Sequence, residues 1–558
     1  MPKKSIFLFF LCFLLLVFFN LIIFYPIFKT NNITISFAIH PFNICTKYPK
    51  FWHFFKIFYI IILLFSSSSI SYLLISNFFK NEKKEQKLPL KILDNNLRVL
   101  VGFSPSQKKD IYLPEKSLYQ NILITGTIGS GKTSSAIYPF SEQLIKYKSN
   151  SSKEKLGILC LDVKGNFYKQ IRFYAKKFGR LNDLIVIGLN SKETYNPLDK
   201  PNLNPLVLAN RLKTILTLLS PNNSESFWLD KAEQLIAEAI KLCRLYNNGY
   251  VNFNELHKLI NNKTYYLEKI KYLRNLFLSN KFSKINLYNL TSAINFFENE
   301  FFKLDERTIS ILKSEITRIT LPFVSDYNIS RIFSPPRNQI TFRGFRNLIS
   351  EGKIVVLSMN ISEFASLSKI IATYMKLDFQ SEVMSSLNKK FSRPVAFVCD
   401  EYQEYITSSD ANFFSESREA KCINIISTQS YSSLLNTIKD ESALKVIIQN
   451  LVNKLWFRTD DIFTIENAQK QIGKEDKEKI SKTISENAQE SNYNYLIKKF
   501  KSKSSNLSES INTYYQNDYI YDSRFFTQEL STFSCLSFLS DGNITLPPQK
   551  LDMYPYFK

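Results

Sequence analysis

The chain has 558 residues, enough for two or three units that each bury a core, and its 45% hydrophobic content excludes disorder as the default state. Its 72 Lys+Arg against 49 Asp+Glu give a formal charge of +23, which favours polyanionic partners such as nucleic acid or anionic lipid. Lys, Asn, Ile, Phe and Tyr crowd the sequence, however, as an A+T-rich genome would supply them, so charge alone leaves nucleic-acid binding open.

Seven scattered cysteines (Cys12, Cys45, Cys160, Cys243, Cys399, Cys422, Cys535) form no Cys-x-x-Cys pair and suggest neither a disulfide framework nor a zinc site. The three histidines, His40, His53 and His257, offer no triad or metal chemistry. Any catalysis falls to carboxylates, Lys, Arg and backbone.

From the N-terminus, residues 5–28 (SIFLFFLCFLLLVFFNLIIFYPIF) carry no charge over more than the roughly 20 residues that cross a bilayer. The run is too long for the apolar part of a cleaved signal peptide, and no small-residue cleavage site follows it. Residues 57–79 form a second uncharged run, whose serines can bond back to helix carbonyls. Two spans with Lys3 and Lys4 before them and Lys80, Lys83, Lys84 and Lys87 after them predict a two-pass protein of the cell inner (plasma) membrane with both termini cytoplasmic. Residues 1–87 are thus a membrane anchor with a short extracytoplasmic loop. The lysines after the second span read as a topology and headgroup feature.

Residues 126–133 read GTIGSGKT, a full match to G-x-x-x-x-G-K-[ST]. Backbone N–H groups of Gly126, Thr127, Ile128, Gly129, Ser130, Gly131, Lys132, Thr133 and Ser134 would wrap ATP phosphates, with the Lys132 amine on the β/γ phosphates and the Thr133 hydroxyl on Mg²⁺. The context fits, because an apolar strand (121–125, NILIT) enters and a segment of helical spacing (132–147) leaves, with Pro139 a predicted kink.

Further strands are expected at 156–161, 184–189, 354–359, 423–426 and 454–457, separated by helical stretches, which argues a mostly parallel α/β sheet covered on both faces. Residues 395–401 (VAFVCDE) are an apolar strand ending in two acids at the carboxyl edge of such a sheet. Asp400 is assigned to Mg²⁺ and Glu401 to the attacking water; solvated acids at an ordinary strand end are the alternative. Asp162 and Lys164 sit at another strand end as either bystanders or functional groups.

The nucleotide-binding domain is therefore expected over 88–200 and 336–475. The stretch 201–335 is expected to be an all-α insertion: Trp228, Ala232, Leu235, Ile236 and Ala239 recur at spacings of three and four. Residues 476–523 are polar and read as a flexible or weakly helical insertion, with KKFKSKS at 498–504 either a solvated charge run or a phosphate contact. Residues 524–558 return to the nucleotide-binding domain, where 533–539 (FSCLSFL) could add a strand.

Two spans, GTIGSGKT, a long insertion and VAFVCDE together resemble the coupling proteins of type IV secretion, the TraG/TraD family of conjugative ATPases. The resemblance extends through LDVKGN (161–166), YNPL (195–198), FW (227–228), LISEGKIVVLSMN (348–360), ESREAKCINIISTQ (416–429), LVNKLWFRTDD (451–461) and YPYF (554–557). It implies a homo-hexameric RecA-like motor below the membrane that uses ATP and Mg²⁺ to hand DNA with its attached relaxase to the secretion channel. It also implies that Gln429 senses the γ-phosphate and that Arg418 reaches a neighbouring subunit's nucleotide; read from its residues alone, Arg418 is a charge before a buried strand. The insertion resembles the family's all-helical domain, a structural cap being the alternative.

Two other readings stay open: an FtsK/HerA-like pump or secretion ATPase, and a protein-effector receptor that uses nucleotide as a switch. Two early spans followed directly by the P-loop favour the coupling reading. Intact Lys132, Asp400 and Glu401 argue against a dead binding module.

Overall fold

The structure, a computed structural model, describes residues 96–558 apart from 163, 221–225, 279–282, 360, 388–392, 487–492, 495–498, 501–506 and 558. The two expected membrane spans lie outside the described residues. Among the described residues no helix is long and apolar enough to cross a membrane.

The described residues form fifteen strands: β1 Arg98–Ser104, β2 Lys109–Pro114, β3 Ile122–Thr125, β4 Gly157–Leu161, β5 Leu184–Gly188, β6 Ile354–Ser358, β7 Val395–Cys399, β8 Cys422–Thr428, β9 Asn453–Phe457, β10 Lys474–Glu486, β11 Tyr493–Asn494, β12 Lys499–Phe500, β13 Leu507–Tyr519, β14 Ser534–Phe538 and β15 Gln549–Asp552. One 11-stranded sheet runs β2-β1-β15-β14-β9-β3-β8-β7-β4-β6-β5. From β9 to β5 every pairing is parallel. From β9 outward, β14, β15, β1 and β2 add antiparallel pairings.

The parallel strands β3, β4, β7, β8 and β9 are buried at every position, so β3, β4 and β7 read as apolar runs without alternation, while β8 and β9 also bury polar residues such as Asn424 and Lys454. Their side chains still alternate between two cores. Leu123, Leu159 and Leu161 enter one cluster, while Ile122, Ile124, Ile158 and Cys160 enter the other. Ile137, Phe140 and Leu144 of the helical stretch after the P-loop, with Ile171 and Tyr174 of the Phe167–Lys177 helix, cover the second face.

The opposite face is covered by the helices between β5 and β6 and by the Ile361–Ser385 helix. Every regular element among the described residues of 201–335 is helical. Side-chain caps from Asn204, Asn252, Ser283, Asp305 and Asp326 set where five of these helices begin. In the Ser226–Tyr246 helix, Ala232, Leu235, Ile236 and Ala239 are fully buried. Their cluster also contains Leu159, Val355 and Phe397, so insertion and sheet share one core.

The stretch 476–523 differs from its flexible or weakly helical expectation. β10 and β13 pair antiparallel from Lys474↔Tyr519 to Glu486↔Leu507. Polar residues on both faces of this ribbon remove the period-2 hydrophobic signal that betrays a strand.

Candidate nucleotide site

β3 ends at Thr125, and the P-loop follows to the Thr133–Ile137 π-helical turn and the Tyr138–Lys146 helix, which starts one residue before Pro139. The helical run is continuous over 132–146, and Pro139 sits just after its π-helical turn, where a proline and a widened turn are the usual causes of a bend. Gly129 (φ +79°) and Gly131 (φ +101°) hold left-handed backbone that L side chains rarely adopt. Thr127 donates its N–H to the Arg458 carbonyl at 2.9 Å, which ties the loop to the end of β9.

β8 lies between the P-loop strand and the acid-bearing strand β7. This register brings the assigned groups together. The Thr133 hydroxyl donates to Asp400 Oδ2 at 2.7 Å. Glu401 Oε2 accepts from Gln429 Nε2 at 3.2 Å and from Gln403 Nε2 at 2.7 Å. Glu401 itself has left-handed backbone, φ 52°, unfavourable for a non-glycine residue and of the kind that collects at functional sites. Lys132 is buried and donates to the Gly126 and Thr127 carbonyls. Burial pulls its amine below the ordinary lysine pKa, with Glu401 and Asp400 opposing the shift.

Lys132, Thr133, Glu401, Gln403 and Gln429 line a cleft of about 610 Å³ with Lys164, Tyr138, Thr532, Phe533, Tyr556 and Phe557, while the buried Asp400 is not in the lining and meets it through Thr133. The pair at the end of β4 divides. Asp162 accepts backbone N–H groups from Lys164 and Phe167, capping the following turn, and burial raises its pKa, whereas Lys164 reaches the cleft. Gln403 went unremarked in the sequence because only the fold shows its amide bridging Glu401 and the Thr428 hydroxyl, at 2.7 and 2.9 Å. Arg418 is exposed after the Asp410–Glu416 helix and is not among the residues that line the cleft.

The glycine-bounded loop, the amine, and a hydroxyl and carboxylate in contact fit a nucleoside triphosphate with Mg²⁺: Thr133 and Asp400 present oxygen donors of the kind Mg²⁺ takes. The fold is α/β with a mostly parallel, RecA-like sheet, and the cleft lies at the carboxyl ends of its strands, where open parallel sheets bind ligands.

Comparison with known proteins narrows the class. Residues 394–513 match a family model described as the TraM recognition site of TraD and TraG. No curated protein matches the sequence. Among solved structures, the bacterial conjugative coupling protein TrwBdeltaN70 in its unbound monoclinic form shares 12% identity over 82% of this chain and 88% of that one, with TM-score 0.53. TrwB with the ATP analogue ADPNP (11% identity; 82% and 94% covered) and with ADP and Mg²⁺ (12%; 82% and 95%) also give TM-scores of 0.53. In sequence over 394–513 and in fold over most of its length, the chain resembles the TraG/TraD coupling proteins of type IV secretion.

Proposed function

We propose that the protein is a membrane-anchored ATPase that couples DNA with its attached relaxase to a type IV secretion channel and powers translocation by hydrolysing ATP. The observation that carries this reading is the Thr133–Asp400 contact beside a Glu401 held by two amides, with Lys132 at the same site. Lys132 binds the β/γ phosphates, and Thr133 and Asp400 hold Mg²⁺, which when bound neutralises charge on the phosphate oxygens. Glu401 accepts the proton of the attacking water, and Gln403 and Gln429 fix its carboxylate. Gln429, which follows the last residue of β8, responds to the γ-phosphate. TrwB described with ADP and Mg²⁺ supports the cofactor assignment.

The apolar runs 5–28 and 57–79 supply the anchor. An exposed Arg418 suits a finger that acts on a neighbouring copy in a homo-hexamer. No base-reading motif is present, as expected of a motor that grips any sequence through phosphates. The family match over 394–513, a TraM recognition site of TraD and TraG, supports the coupling reading; a protein-effector receptor that uses nucleotide as a switch is the competitor.

The test is ATP hydrolysis by the full chain in detergent, with and without single- and double-stranded DNA, beside Lys132→Ala. DNA-stimulated hydrolysis that the variant abolishes, with DNA binding that falls steeply with salt, is the expected result. Lys132-dependent hydrolysis indifferent to DNA would favour the protein-effector reading, and no hydrolysis would reduce the site to a switch.

A further inference from the structure

We propose that the aromatic wall of the cleft, formed by Phe533, Tyr556 and Phe557 with Tyr138, is a stacking subsite for the purine base of the nucleotide. The inference rests on the nucleotide reading above and assigns the part of the ligand that the P-loop does not hold.

The lining of the cleft is of two chemical kinds. Lys132, Thr133, Glu401 and Gln429 are polar, and the four rings are aromatic. Two of the ring-bearing residues are bonded directly to the P-loop. Phe533 donates its N–H to the Ser130 carbonyl at 3.1 Å, and Tyr556 donates its own to the Ser134 carbonyl at 2.9 Å. The base attached to a triphosphate on this loop therefore emerges beside these rings.

The position of Phe533 is built, not incidental. A Cβ at Gly131 would meet the Phe533 ring at 2.6 Å, so the glycine makes room for the ring as well as for phosphate. Phe533 holds φ 64°, an unfavourable conformation for an aromatic residue and a feature that clusters at ligand sites.

Tyr556 and Phe557 remain 43% and 59% exposed although both are large and apolar. A single exposed aromatic is ordinary, but several converging on one polar cleft are not. Tyr556 meets Tyr138 edge-on at 5.1 Å and Phe557 at 5.3 Å, while Phe533 and Phe557 lie 5.9 Å apart at 72°. None of these pairs is stacked face to face, so a flat base can be taken against a ring face. Such a wall reads π-surface and not hydrogen-bonding edges, which predicts little preference between adenine and guanine.

The experiment compares equilibrium binding of Mg-ADPNP, Mg-GDPNP and Mg-tripolyphosphate, which has no base, to the full chain. The variants are Phe557→Ala and Tyr556→Ala, both at exposed positions, with Phe557→Trp as rescue and Lys132→Ala as control. Expected are ADPNP and GDPNP affinities within a few-fold of each other, an about 10-fold loss of both in Phe557→Ala, unchanged tripolyphosphate affinity, and recovery in Phe557→Trp. Undiminished nucleotide affinity in both alanine variants, or an equal loss for tripolyphosphate, overturns the subsite while Lys132-dependent binding leaves the nucleotide reading standing. If the wild type binds neither nucleotide nor tripolyphosphate, both readings fall.

Discussion

Lys454 lies on β9 with 1% of its surface exposed, between Leu123 of β3 and Phe538 of β14 in the sheet register. Burial disfavours its charged form and lowers its pKa from 10.5 to about 8. The sign follows from linkage: a folded pKa below the unfolded one means that folding must discharge this amine or carry its desolvation penalty. That penalty is complete below the folded pKa and vanishes as pH rises through the unfolded one. Lys454→Met is therefore expected to be more stable than the wild type near neutral pH by up to about 3 kcal/mol, at about 1.4 kcal/mol per pKa unit. The gap should close between pH 8 and 10.5. Unfolding curves across that range check it, and a gap independent of pH would show that the substitution acts through packing alone.

At the scale of one element, the Ile361–Ser385 helix carries two buried charges two residues apart, which places them on roughly opposite sides of it. Lys376 donates to the Tyr405 carbonyl at 2.7 Å, the Thr407 hydroxyl at 2.9 Å and Asp410 Oδ2 at 2.6 Å. Gln380 holds the other Asp410 oxygen at 2.8 Å, and the Tyr402 hydroxyl donates to Asp410. These bonds fasten the turn that follows Glu401. On the other side, Asp378 pairs with Lys200 at 2.8 Å and Arg211 at 2.9 Å and accepts from the Tyr195 hydroxyl at 3.0 Å, joining the helical insertion to the sheet. Lys376→Met would leave Asp410 buried and unpaired, at a cost of about 3–5 kcal/mol. Adding Asp410→Asn should recover much of it, as denaturant titration of single and double variants would show. The runs of β3, β4 and β7 were legible because burial on both faces leaves an apolar signal, Asp400 and Glu401 because they follow the end of β7, and Lys132 and Thr133 because they belong to the G-x-x-x-x-G-K-[ST] pattern after β3. β1, β2 and β15 were not, since their partial exposure breaks the run and the pairing that ties the β1–β2 hairpin to the sheet, Phe103 with Asp552, spans most of the chain. Gln403 and Phe533 were not legible as site residues, because the bond of Gln403 to Thr428 and that of Phe533 to Ser130 exist only after folding.

Across the whole molecule, the antiparallel flank joins residues from both sides of the chain. Phe103 pairs with Asp552, Ser104 Oγ donates to Gln549 at 2.8 Å, and the Tyr554 hydroxyl donates to Asp110 at 2.8 Å. Removing residues 531–558 would uncover the edge of β9, detach β1 and β2, and strip Phe533 and Tyr556 from the P-loop. The expected outcome is loss of cooperative unfolding together with nucleotide binding, read by calorimetry and titration; a truncated chain that still binds ADPNP with wild-type affinity would refute it. The two backbone bonds from Phe533 and Tyr556 to Ser130 and Ser134 also impose an order on biosynthesis. The loop at 126–133 leaves the ribosome some 400 residues before the segment that braces it. A half-made chain therefore carries an unbraced P-loop while it grows, and translation of its last strands is what completes the cleft.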